Sequence, residues 1–260
     1  MTRAAFYAWL RRGVTQHQRR DVALVRRIRA IFEASEGTYG SPRIHAALKD
    51  AGEKVAEKRV ARLMQETGLV ARIATLYRRA SGVRRFFAEI PNLILGLQTT
   101  RIDQLWVGDI TYLHSAGRWR YLAVVMDRHS RRIVGWSFGV QRDVALTLAA
   151  LNDAVRRRRP KPGLIFHTDR GIEYTQTAFR TRLAALGIVQ STKRPTGFGD
   201  NAFIESFFHT MKADVIRGHR FHNDASLLAV VQRYIRRYNG VRIHSSLGYR
   251  SPIDYEHRAA

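Results

Sequence analysis

Three acidic residues constrain this chain more than any other feature, because each stands where a carboxylate needs a reason. Asp109 interrupts an apolar, strand-like run, Trp106-Val107-Gly108-Asp109-Ile110-Thr111-Tyr112. Asp169 closes a second one, Leu164-Ile165-Phe166-His167-Thr168-Asp169, and Arg170-Gly171 follow it. Glu205 lies in a helix-like stretch, Asn201-Ala202-Phe203-Ile204-Glu205-Ser206-Phe207-Phe208. A strand aspartate, a strand-end aspartate and a helical glutamate can converge on one divalent-metal site. Mg²⁺ prefers oxygen ligands and keeps some of its waters, so a few carboxylates and a substrate phosphate complete its shell. Two such ions about 4 Å apart can activate an attacking oxygen and stabilise a departing one.

The charge balance says what the phosphate belongs to. Lys and Arg number 45 against 21 Asp and Glu, a net charge of +24. The excess is +11 over residues 1–100 and +13 over 101–260, so it is spread along the chain rather than confined to a tail. That is the footprint of a polyanion binder. Acidic side chains in such a surface would repel nucleic acid unless a metal covered them. There are no cysteines, which excludes disulfides, cysteine zinc sites and thiol nucleophiles. At 260 residues and 45% hydrophobic content the chain can bury a sizeable core. No apolar run approaches the ~20 residues of a membrane span, and no secretory segment opens the chain. A soluble cytoplasmic protein is the expectation.

Five segments are expected. Residues 1–20 are basic, with aromatic Phe6, Tyr7 and Trp9. Residues 21–80 form a helical DNA-binding domain: Val22, Val25, Ile28 and Phe32 follow helix spacing, Ser41-Pro42 starts a second helix as N-cap and first turn, and Val60, Leu63 and Met64 mark a third. Two short helices around a glycine-containing turn resemble a helix-turn-helix, which would point Lys58, Arg59 and Arg62 at DNA. An ordinary three-helix bundle with a solvated basic face is the competing reading. Residues 81–102 read as a linker, following a basic stretch with Arg78, Arg79, Arg84 and Arg85. Residues 103–215 form the catalytic core, with strands at 105–113, 119–127, 131–138, 163–168 and 188–190 and helices at 143–158, 176–186 and 201–214. Residues 216–260 are a helical extension and tail. The fold class is α/β, a mixed sheet with flanking helices preceded by a small all-α domain. Between 191 and 199, Pro195, Gly197 and Gly199 predict a mobile segment, with Lys193 and Arg194 as further DNA contacts.

At about 100° per residue, Phe203, Ile204, Phe207, Phe208 and Met211 share one side of the last core helix, and Glu205, His209 and Lys212 the other. Lys212 can therefore meet a DNA phosphate. Other acids have structural explanations: Asp127 as a turn residue, Asp103 ahead of its strand, Asp200 as an N-cap. His167 reads as a polar contact shaping the pocket rather than a ligand.

The three acidic blocks resemble those of OrfB-type transposases from the bacterial insertion sequence three group, in the retroviral-integrase superfamily. The resemblance extends to Phe6-Tyr7-Ala8-Trp9-Leu10, to Tyr39-Gly40-Ser41-Pro42-Arg43-Ile44-His45-Ala46-Ala47-Leu48, and to Tyr238-Asn239-Gly240 through Leu247-Gly248-Tyr249-Arg250-Ser251-Pro252. It implies a ribonuclease-H-like core from about residue 103, and Asp109, Asp169 and Glu205 as a catalytic, metal-binding triad for two Mg²⁺ ions that Mn²⁺ can replace. It also implies strand cleavage and 3′-hydroxyl strand transfer at element ends in copy-out, paste-in transposition, by a homo-oligomer on double-stranded DNA. The product of an upstream frame, separate or fused, supplies another DNA-binding region and a leucine zipper in that family. This chain opens at Met1-Thr2-Arg3, so that region is expected from a partner. The alternatives are a catalytically silent DNA-binding regulator and a plain ribonuclease-H-like nuclease.

Neutralising Lys58, Arg59 and Arg62 together should weaken binding to element ends more than binding to bulk DNA. Titrations at fixed salt measure both, because affinity of this kind falls steeply as salt rises. Equal loss on both DNAs rejects a recognition helix.

Overall fold

The computed structural model describes residues 16–71, 90–193 and 201–259. The aromatic N-terminal segment, the basic stretch from Arg78 to Arg85 and the residues from Arg194 to Asp200 lie outside them. The chain divides into two compact units, Met1–Tyr77 and Arg78–Ala260. No helix among the described residues is long and apolar enough to cross a membrane.

In the first unit α1 (Gln16–Ala34), α2 (Ser41–Asp50) and α3 (Glu57–Glu66) surround a small core of Leu24, Ile28, Ile44, Leu48, Val60, Leu63 and Met64. The inward stripe of α1 is shifted from the expected one: Val22 is exposed and Leu24 takes its place. Ser41 is not the cap of α2 but its first residue; Gly40 precedes it in extended geometry with no side-chain cap. Pro42, in the first turn, needs no N–H there and presets the helical φ. α3 starts from Ala56, also without a side-chain cap, and Glu57 in the first turn offsets the helix dipole. Of the three DNA-contact cations expected in this unit, two are already engaged. Asp21 of α1 binds Arg59 at 2.6 Å and Arg62 at 2.8 Å, and Arg62 also pairs with Glu66. Both bonds hold the Asp21 carboxyl below its usual range, with Arg62 the larger cause.

The second unit is built on five strands, β1 (Leu105–Ser115), β2 (Arg118–Asp127), β3 (Ile133–Gly139), β4 (Ile165–Thr168) and β5 (Val189–Thr192), in the order β3-β2-β1-β4-β5. The first three form an antiparallel meander, and β4 and β5 add in parallel. Both faces are covered, which explains the near-continuous apolar runs. One face receives α4 (Val144–Arg158), the single turn α5 (Ile172–Thr175) and α6 (Thr177–Ala185) over Trp106, Ala123, Val125 and Phe166. Gly135 of β3 permits the close approach of α4, because a Cβ there would collide with the backbone of Ala150 and Ala154. The other face receives α7 (Ala202–Met211), a π turn (Lys212–Ile216) and α8 (Asp224–Gly240) over Val107, Leu113, Leu122, Val124 and Met126. Residues of the expected extension, Leu227, Val231, Tyr234, Ile235 and Tyr238, thus belong to the same apolar cluster as the core strands.

Two further differences from the sequence reading have clear causes. The end of the expected linker is docked: Thr192 N donates to Pro91 O, Thr192 Oγ1 to Ile90 O, and Leu93 N to Ser191 Oγ. This covers the outer edge of β5, whose backbone would otherwise be unpaired. The tail ends in a helix, α9 (Pro252–Ala259), whose Glu256 is buried. Glu256 accepts from Ser130 Oγ, Arg132 and Arg158. Asp127 sits beside this cluster, fully buried at the end of β2, accepting from the amides of Asp103 and Ser130. It closes a turn, as expected, but from inside the core.

Burial raises the Glu256 carboxyl, but the bonds from Arg158, Ser130 and Arg132 outweigh it and hold it below its ordinary value near 4.5. A depressed carboxyl stabilises the fold above its unfolded pKa, and that contribution is lost as pH falls through the folded pKa. Glu256→Ala should therefore cost about 3 kcal/mol at neutral pH. The cost should shrink below pH 4.5, a window that urea unfolding at several pH values reads directly. A pH-independent cost refutes the ionised latch.

Candidate active site

The two aspartates meet because of strand register. β1 and β4 pair in parallel from Leu105 with Ile165 up to Gly108 with Thr168, and there the pairing stops. The next residue on each chain is an aspartate. Asp109 and Asp169 therefore lie side by side where the sheet opens, separated by roughly the 4.8 Å interstrand spacing at the backbone. Gly108 allows the tight rung beneath them, since a Cβ would come within 2.7 Å of Phe166. Each carboxylate is oriented by a local amide: Ile110 N donates to Asp109 Oδ1 at 2.7 Å, and Gly171 N to Asp169 Oδ1 at 2.9 Å.

The electrostatics follow from that placement. Burial pushes the Asp109 carboxyl well above the usual range, and the charges of Asp169 and Glu205 push it further; the Ile110 amide and Arg142 act the other way without cancelling them. Burial also raises Asp169, against the Gly171 amide, Arg142 and Lys193. Glu205 lies in the first turn of α7, on its exposed side, while Ile204, Phe207, Phe208 and Met211 seat the helix on the sheet. Among the described residues no three His, Asp or Glu side chains are drawn tightly enough together to hold an ion. Like charges repel, and Glu205 remains turned to solvent.

The cations are placed unequally. Lys193 follows β5, its amide bonded to Thr168 O, and its charge acts on Asp169. Lys212 begins the π turn with its ammonium 4.2 Å from the centroid of the Tyr112 ring, within the field of Asp109. Burial lowers its pKa, and nearby Arg217 lowers it further. Arg194 lies outside the described residues, and Lys58, Arg59 and Arg62 belong to the other unit. His209 is exposed. His167 is fully buried and bonded through Nδ1 to Ser191 Oγ at 2.8 Å, so it ties β4 to β5.

The sequence reading missed the Arg142–Glu173 pair. Arg142 precedes α4, Glu173 is buried on α5, and they meet at 2.6 Å. Arg142 acts on both aspartates, and Glu173 on Asp169. Glu173 carried a signal, as an acid four residues after Asp169 in an apolar stretch. Arg142 carried none, because only the fold brings it there.

This sheet and its acidic opening define an integrase-type nucleotidyl-transfer core. The family described as "Integrase core domain" matches residues 99–196, a second of the same description matches 186–252, and "HTH-like domain" matches 19–79. The chain is 35% identical over 248 residues to the transposase for insertion sequence element IS904 of Lactococcus lactis, covering 95% of this chain and 98% of that one. It is 32% identical over 275 residues to the transposase InsF for insertion sequence IS3A of Escherichia coli K12, covering 99% and 91%. An uncharacterised 31 kDa protein of insertion element IS600 from Shigella sonnei is 31% identical, covering 99% and 96%. Among solved structures, the integrase catalytic core of HTLV-2, in complex with magnesium, aligns at 15% identity and TM-score 0.49, covering 62% of this chain and all of that one. The chain belongs to the IS3 family of insertion-sequence transposases, polynucleotidyl transferases with an integrase core and a helix-turn-helix-like domain.

Gly171 tests how closely the aspartate loop is fitted. A Cβ at this position would lie 2.7 Å from Glu173 Oε2 and 3.0 Å from Asp169 Oδ1. Gly171→Ala should cost about 1–3 kcal/mol in urea unfolding, and an unchanged midpoint would show that Glu173 swings clear without strain.

Proposed function

We propose that this chain cleaves DNA at the ends of its insertion sequence and transfers the exposed 3′ hydroxyl to a second strand, with Asp109, Asp169 and Glu205 as the metal-binding, catalytic triad. The observation that carries this reading is the pair of aspartates at the opening of the sheet, both raised by burial and both in the field of further acids. Such a donor set fits a divalent ion: all-oxygen ligands, excess negative charge, and a basic protein around it. Two Mg²⁺ ions, or Mn²⁺, would supply Lewis-acid activation and charge neutralisation at the reacting phosphate.

The chain's own residues do the positioning. Ile110 and Gly171 amides fix one oxygen of each aspartate, leaving the other oxygen for the ligand shell. Arg142, anchored by Glu173, partly offsets the burial that raises both aspartates. Lys193 beside Asp169 and Lys212 beside Asp109 flank the site as phosphate contacts, with Arg194 next to Lys193 in sequence. The attacking groups are water and then the 3′ hydroxyl, so no side chain becomes bonded to DNA. Residues 21–80 recognise the element ends and 103–215 carry the chemistry, in copy-out, paste-in transposition by a homo-oligomer in the bacterial cytoplasm. The product of an upstream frame acts as partner or fused region.

Replacing any one of the three by its amide, Asp109→Asn, Asp169→Asn or Glu205→Gln, should reduce cleavage and joining of end-containing DNA to background. DNA affinity should hold or rise slightly, because negative charge leaves a basic surface. Lys212→Ala should lower joining with metal binding retained. Asp127→Asn should act on stability alone, since its carboxylate serves buried amides. The assay uses Mg²⁺ or Mn²⁺, with the upstream-frame region added. Wild-type activity in Glu205→Gln rejects the triad, and a covalent protein–DNA adduct rejects the mechanism.

A further inference from the structure

The β1–β2 hairpin carries a surface that the proposed chemistry does not use. Tyr112 is 59% exposed and Trp119 54% exposed. His114, next outward on the same face of β1, is exposed as well. Trp119 stands opposite His114 across the strand pair. Its ring lies edge-on to Tyr112, with centroids 5.2 Å apart, and to His114 at 5.1 Å. The three rings thus form one contiguous aromatic cluster in solvent. Ordinary alternation would place polar side chains at these outward positions.

Cations border the cluster. The Lys212 ammonium lies against the Tyr112 ring. Arg217 is close enough to act on Lys212. Arg118 is exposed at the start of β2, and the loop holding Arg217, His219 and Arg220 is exposed and fastened to the hairpin tip, where Ala116 N donates to Phe221 O at 2.9 Å. Arg120, by contrast, is engaged by Asp224 at 2.7 Å. Tyr112 is three residues beyond Asp109 on β1, so its side chain leaves the opposite face of the strand. Lys212, whose ammonium rests on the Tyr112 ring while its charge feels Asp109, is what links the cluster to the acidic opening.

Exposed rings bordered by cations suit a ligand with flat apolar faces and a negative backbone, which is a nucleic-acid strand. A duplex hides its base faces in the stack, so the ligand is unpaired. We propose that Tyr112, Trp119 and His114, with Lys212, form a stacking platform for unpaired nucleotides of the DNA strand whose phosphate lies at Asp109 and Asp169. This rests on the strand-cleavage reading for the location of that phosphate, while the capacity to stack bases rests on the rings. The platform holds the end of the element open beside the carboxylates, and Lys212 joins the two areas by touching one ring and facing one acid.

The test uses the full chain and two probes: a single-stranded oligothymidine carrying 2-aminopurine, without metal, and a fully paired duplex of the same length. The Tyr112→Leu/Trp119→Ala double variant should bind the single strand about tenfold or more weakly, as expected when two stacking rings are lost. Its affinity for the paired duplex and its thermal midpoint should be unchanged, since both rings are largely in solvent. Trp119→Phe, which keeps an aromatic face, should retain most single-strand binding. With Mg²⁺, the double variant should cut paired ends more slowly than wild type and recover on ends made with unpaired terminal nucleotides. Single-strand affinity equal to wild type in the double variant overturns the platform. So does a loss of self-association in sedimentation with single-strand binding intact, which assigns the rings to a protein interface. Glu205→Gln should bind the single strand like wild type. If wild type binds it through these rings yet never cuts end DNA, the platform stands and the cleavage reading falls.

Discussion

Two half-buried carboxylates held side by side are an electrostatically costly arrangement. Were both ionised, two charges about 5 Å apart at an effective dielectric near 20 would repel by about 3 kcal/mol, and the raised Asp109 carboxyl reflects that cost together with burial. A domain whose whole stability is about 5–15 kcal/mol feels such a term. The second unit is organised to bear it. The β1–β4 ladder runs up to Gly108 and Thr168 and fixes both strands directly beneath the acids. Apolar clusters on both faces clamp those strands. Arg142 brings positive charge near both aspartates while its own partner Glu173 keeps it in place. The acids are thus held by the scaffold rather than by attraction to each other.

Glu205 arrives by a different route, and that difference explains its exposure. Its helix is attached through Ile204, Phe207, Phe208 and Met211, with Phe207 packed edge-on against Tyr238 at 4.8 Å. The helix passes into a π turn at Lys212, an irregularity common at functional sites. That turn is anchored by Asp214, buried and bonded to Arg242 at 2.8 Å and to Tyr234. A buried pair of this kind contributes little net stability but tolerates few alternative positions. It fixes where α7 ends and hence where Lys212 leaves the backbone. The acid and the lysine therefore share one anchored element, with one turned to solvent and the other resting on Tyr112.

In the first unit charge is managed in the opposite sense. Asp21 ties Arg59 and Arg62 of α3 to α1, while Lys58 of α3 is exposed. A DNA phosphate approaching Arg59 or Arg62 must compete with a carboxylate already bonded to it. That competition lowers the affinity of these two arginines for a second anion without abolishing it, because the pairs are partly exposed and weak.

The sequence by itself determined the local and periodic parts. The runs around Asp109 and Asp169 read as strands because branched and aromatic residues crowd them, and the α7 face read correctly because apolar spacing records which side is buried. The motifs carried the family. What only the tertiary structure decided depends on partners distant in the chain. Residues 90–93 looked like linker because their bonding is to the edge of β5, about a hundred residues on. Glu256 looked like a tail residue because its partners are Ser130, Arg132 and Arg158. Arg142 beside the aspartates, the exposure of Trp119 and Tyr112 together, and the adjacency of Asp109 with Asp169 follow from register and packing. Periodicity encodes which face of one element is apolar, but register is set by the fit of whole elements against each other, and no single segment contains it.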